Sequence, residues 1–167
     1  MTLYPLLLEM KKLLRNMPTW LEKAEAHASA KGYDANLLLQ SRLAPDMFPL
    51  VRQFQSACDN AKFGAAFTAG KEPPSHADTE QTFDDVRARI AAVTAYLDTF
   101  TEKDFEGTEA RTVRRPRWEG KSMTATAYFL EHSTPNFFFH FTTAYAILRH
   151  NGVDIGKRDY VGELDFR

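Results

Sequence analysis

A chain of 167 residues, 44% hydrophobic and 13% aromatic, suffices to bury the core of one domain, taken here as 1–167. Its 21 basic and 22 acidic residues leave a formal charge of −1, which argues against a general nucleic-acid footprint and a polybasic membrane surface. The single cysteine, Cys58, has no partner for an internal disulfide. No run approaches the roughly 18 apolar residues of a membrane span. Leu6-Leu7-Leu8 is broken at once by Glu9, Lys11 and Lys12, so no secretory signal is expected and the cytoplasm is the expected location.

In chain order, residues 2–30 read as the first helix, with Leu3, Leu7, Met10, Leu14, Met17, Leu21 and Ala24 forming a seam. Pro18 should kink or interrupt it. Residues 32–45 read as an ordered connection, because Leu37, Leu38, Leu39 and Leu43 would be poorly placed in water. Asp46 is expected to cap the second helix, 46–67, with Met47, Leu50, Phe54, Ala57, Ala61 and Ala65 facing inward. Gly70 to Ser75 ends it in a loop. The third helix has capping-box spacing at Asp78 and Gln81, then Phe83, Val86, Ile90, Val93, Leu97 and Phe100 in heptad-like steps.

Helical periodicity is lost over 101–123, where 108–113 and 117–123 could pair as a short hairpin with Pro116 at its edge or turn. Residues 124–132 add a helical turn or two. Thr134 and Pro135 then suit the start of a last helix that Asn151-Gly152 stops. Four amphipathic helices with a small irregular insertion describe an all-α protein, a four-helix bundle.

The last helix carries the most informative residue. His140 shares its apolar arc with Phe137, Phe141, Ala144, Tyr145, Ile147 and Leu148, whereas Asn136, Phe139, Thr143 and His150 fall on the other half. Burying an imidazole costs free energy unless it finds a partner. His140 is therefore either a hydrogen-bonded core residue or a cavity-lining metal ligand or proton-transfer group. No His-x-x-x-His or Glu-x-x-His pair stands anywhere in the chain.

The segments Ser41-Arg-Leu-Ala-Pro-Asp-Met-Phe-Pro-Leu50 and 136–162 resemble an uncharacterised bacterial family placed within the DinB/YfiT-like superfamily. The resemblance covers nearly the whole chain. It implies an up-down-down-up four-helix bundle, commonly a homodimer, with a divalent metal held by one histidine from helix two and two from helix four. His140 matches the first helix-four position, Ala144 stands at the next, and 46–67 holds no histidine. With two of three ligands missing, the residues favour absence of the metal, and Asp46 or Gln53 would be the substitutes from helix two.

Arg111, Arg114, Arg115, Arg117 and Lys121 gather around Trp118. Such a cluster could hold a phosphate, a carboxylate or single-stranded nucleic acid. The near-zero total charge favours instead a solvated loop balanced by Glu106, Glu109 and Glu119. Cys58 reads as a small buried residue. Residues 156–162 should fold back over the bundle or pack across a partner subunit.

The expectation is a protein that binds a small molecule between helices two and four, beside a degenerate metal site. Its pocket candidates are His140, Asp46, Gln53 and Tyr145. The alternative is a non-catalytic structural or stress-linked interaction bundle. Whether the chain is an enzyme is left open.

Overall fold

The computed structural model describes residues 2–166. The first helix, α1, spans Tyr4–Lys31 without a break at Pro18. A proline inside a helix costs about 3 kcal/mol. Met17, Trp20 and Leu21, all fully buried beside it, each contribute about 1.5–3 kcal/mol, which outweighs that loss. The connection is indeed ordered: a 3₁₀ turn, Ala35–Gln40, is capped by the Asp34 carboxylate and buries Leu38 and Leu39. Leu37 and Leu43 differ from expectation, being exposed.

Helix α2 runs over Leu50–Ala69, four residues later than expected. Pro49 disfavours helical backbone at Phe48, so the helix cannot extend back to residue 46. Asp46 is consequently an exposed turn residue and caps nothing. Helix α3, Phe83–Leu97, is capped by Thr82 and Asp85 rather than by Asp78 and Gln81. Asp85 accepts the Thr82 amide at 2.9 Å while the Thr82 hydroxyl accepts the Asp85 amide at 3.1 Å.

The expected hairpin is present but shorter. Strand β1 (Thr112–Arg114) pairs antiparallel with β2 (Ser122–Thr124), and Val113 lies opposite Met123. Pro116–Trp118 forms a single 3₁₀ turn between them. Val113 then packs with Ala125 and Tyr128, and Phe67, Trp118 and Met123 surround this small satellite core.

The largest departure lies ahead of the last helix. Thr124 caps a helical stretch that continues without interruption through α4 (Ala125–Ala127), a π-helical turn (Tyr128–Ser133) and α5 (Thr134–His150). Thr134 caps nothing; its hydroxyl donates to the Phe129 carbonyl at 2.7 Å. Proline lacks the amide an α-helix needs, and the wider π ladder ending just before Pro135 accommodates that gap.

Helix α2 packs most extensively against α5. The contact is close because residue 64 is glycine. A Cβ there would stand 2.3 Å from the Ser133 hydroxyl oxygen, which itself donates to the Asn60 carbonyl at 2.6 Å. At the other end α6 (Lys157–Val161) folds back on α1. The Trp20 indole donates to the Asp159 carbonyl at 3.0 Å, and Trp20 meets Phe141, Tyr145 and Tyr160 in one aromatic cluster. The tail folds over its own helices, one of the two placements expected for it.

Candidate functional site

A cavity of about 310 Å³ opens between α2, the π turn and α5, and the hairpin lies over it. From α2 it receives Arg52, Asp59 and Phe63; from the last helical stretch, Tyr128, His132 and His140. Arg115 and Arg117 reach in from the loop between β1 and β2.

His140 and Gln53, both expected from the sequence, meet here. The Gln53 side-chain amide donates to the Phe48 carbonyl at 2.9 Å, which orients its oxygen toward His140 Nδ1 at 2.8 Å. An amide oxygen only accepts, so Nδ1 carries the ring proton and Nε2 keeps its lone pair. Burial, and then the Arg52 charge, pull the His140 pKa below its ordinary value and keep the ring neutral at pH 7. The outcome is one fixed tautomer whose unprotonated nitrogen can accept a hydrogen bond.

The other two candidates lie elsewhere. Asp46 is outside the cavity lining, and Tyr145 sits in the aromatic cluster against Trp20 and Tyr160. Tyr145 lies on the flank of α5 turned to α1 and α6, a side that the helical wheel could not separate from that of His140.

Three residues outside the expected set complete the cavity. Arg117 donates to His132 Nε2 at 3.0 Å, which places the proton of neutral His132 on Nδ1. Burial, followed by Arg117 and Arg115, holds the His132 pKa down. The ring stacks on Tyr128 at 5.2 Å between centroids. Arg115 lies against Phe67 and Phe63, with its guanidinium carbon 4.4 and 5.1 Å from their ring centres.

Two buried polar atoms at this end, Arg115 Nη1 and His132 Nδ1, have no hydrogen-bond partner among the described residues. Each unsatisfied donor costs about 1–3 kcal/mol. Nor does the loop balance its own charge: among the described residues, neither Arg115 nor Arg117 forms an ion pair with Glu106, Glu109 or Glu119. The arginine cluster was visible in the sequence. Its destination was not, because that depends on Val113 and Tyr128 docking the hairpin.

Behind the cavity, charges are matched. Asp59 holds Lys62 and Arg89, each at 2.8 Å, and Arg89 also meets Glu80 at 3.0 Å and Asp78 at 3.3 Å. Arg52 pairs with Asp78. Lys62 donates to His76 Nδ1 at 3.0 Å. This network ties the loop between α2 and α3 to both helices. Cys58, fully buried beside it, has its thiol pushed up to about 12, mainly by burial.

The metal centre that the superfamily resemblance implies does not fit these residues. Among the described residues no three His, Cys, Asp or Glu side chains stand close enough to hold a metal ion. His140 keeps a free Nε2 lone pair, but the ligand set around it stops short of three. No chemistry is therefore routed through a metal.

The fold defines a DinB-like helical protein. A crystal structure of a DinB family member protein from Shewanella denitrificans matches with a TM-score of 0.95 and 46% identity, over 99% of this chain and 94% of that one. The chain belongs to the DUF1993 family, a domain of unknown function, whose model matches residues 4–161. No curated protein matches it. No helix among the described residues is long and apolar enough to cross a membrane.

Proposed function

We propose that this DUF1993 protein binds a small molecule in the cavity between α2 and α5, with His140 Nε2 as the fixed hydrogen-bond acceptor. The Gln53–His140 pair carries the reading. A histidine needed only for packing would be satisfied by any partner, whereas this one is locked as a neutral tautomer beside an open cavity. Its lowered pKa makes it a weak proton acceptor at neutral pH, so it suits orienting a ligand's O–H or N–H more than removing a strong proton. In this view His140 is the one imidazole left of a degenerate metal site, and the helices form an up-down-down-up bundle in the cytoplasm.

A homodimer is part of the proposal, supported by Phe48 and Phe139, which are 52% and 56% exposed. The same exposed rings are what a purely structural or partner-binding bundle would use.

A thermal-shift screen of polar metabolites tests the ligand reading. At least one compound should raise the melting temperature of the wild type and fail to do so for His140→Phe. If every compound that stabilises the wild type stabilises that variant equally, the cavity is not the ligand site. A screen with no stabilising compound sinks the reading as well.

A further inference from the structure

The cavity has two chemically different ends, and the end away from Gln53 lacks something. Arg115 lies over two stacked phenylalanine rings, so its guanidinium is already ordered, yet its buried Nη1 donates to nothing among the described residues. Arg117 spends one N–H on a neutral imidazole and meets no carboxylate among the described residues. His132 presents a second buried donor, Nδ1–H, also without a partner there. The other charges lining the cavity are already matched, Arg52 by Asp78 and Asp59 by Lys62 and Arg89. Two positive charges therefore line one small space, with two idle donors buried beside it.

Resting on the ligand reading above, we propose that this end binds an oxyanion, the phosphate or carboxylate group of a small molecule, through Arg115 and Arg117. Guanidinium forks match both groups by paired, charge-assisted hydrogen bonds. Arg115 is pre-ordered by its aromatic cradle, so little freedom remains to be lost on binding. Tyr128, whose phenol is held above its ordinary pKa mainly by burial, stays protonated and adds no competing negative charge. A cavity of about 310 Å³ admits a metabolite and excludes a nucleic-acid duplex or a folded partner.

At the opposite end His140 Nε2 accepts, so the molecule that fits carries an anionic group and, further along, a hydrogen-bond donor. His132 and His140 are eight residues apart, about 12 Å along the helix, which sets the order of that separation.

The test is calorimetric titration of the untagged wild-type protein with inorganic phosphate and, separately, with acetate. Ionic strength is held constant with chloride so that screening does not mimic binding. Saturable binding of one or both is expected, and which one binds identifies the headgroup. Arg115→Gln and Arg117→Gln should each weaken it by about tenfold or more, with circular dichroism unchanged. Arg117 is exposed, so its variant keeps the test valid even if Arg115→Gln folds poorly. Wild type that binds neither anion, or binding that both variants leave intact, overturns the oxyanion assignment. If the wild type binds neither anion but a neutral compound still depends on His140, the oxyanion proposal falls alone. If no compound depends on His140 either, both readings fall.

Discussion

Two clusters of charge lie on either side of the same stretch of α2, and they are built on opposite plans. Behind the helix, Arg89 and Lys62 are almost wholly buried, and every positive charge meets a carboxylate; only Arg89 Nε lacks a partner among the described residues. In front, Arg115 and Arg117 meet aromatic rings and an imidazole but, among the described residues, no carboxylate. A closed network needs nothing further and serves to pin a loop. An open one is complete only with something the chain does not supply.

Breaking the closed network should have the largest effect. Arg89→Leu leaves Asp59 and Glu80 facing one another with one fewer cation, and a loss of about 3–5 kcal/mol in urea unfolding is expected. A loss below about 1 kcal/mol would show that the network is not what holds the loop between α2 and α3.

Gly64→Ala comes next. It forces a Cβ onto Ser133, at the seam where the two clusters share α2, for about 1–3 kcal/mol. Pairing it with Ser133→Ala should recover part of that loss, and strictly additive values would remove the close approach as its cause.

Acid should weaken both regions. His76, His132 and His140 all have pKa values lowered from 6.5, in each case first by burial. The folded state therefore binds fewer protons than the unfolded chain, and stability falls as pH drops below about 6.5 toward the folded values. Melting temperatures measured from pH 8 to pH 5 should show this slope. Replacing His76 and His132 in separate variants apportions it between the closed and the open cluster; a flat wild-type profile would contradict all three assignments.

Arg115→Gln should cost less than about 1 kcal/mol, the value of its aromatic contact, because it gives up no ion pair. A loss as large as that of Arg89→Leu would mean that the two clusters are alike after all. Smallest is the expected behaviour of Cys58: with its thiol pushed up to about 12, it should not react with a thiol reagent until the protein unfolds.

The periodic parts of the fold were legible from the residues themselves. The α3 stripe from Phe83 to Leu97 and the buried seam of α1 follow directly from apolar spacing. Of the candidate site, His140 was readable from its place on the apolar arc of the last helix, whereas Gln53 entered only as a substitute ligand from helix two; the two meet in a hydrogen bond. Asp46 lies outside the cavity lining because Pro49 moves the helix start, and Tyr145 because one wheel arc covers two different neighbours. The anionic-ligand end was hidden for another reason. Arg115, Arg117 and His132 converge only after a hairpin of two three-residue strands docks on Tyr128 and a helix changes its turn, and neither event leaves a periodic trace.

That change of turn has a consequence for how the pocket can be gained or lost. A π turn accommodates one residue more than the α-helix it interrupts. Deleting a single codon within 128–133 would restore ordinary winding with α4 and α5 still in register, because the turn already absorbs the extra residue, and only the side chains inside the turn would be re-aimed. The His132 ring, inside the turn, would shift from Arg117 and reshape the open end of the cavity while the Gln53–His140 end stayed in place. The two ends are thus geared separately, so a lineage could discard the one without rebuilding the other.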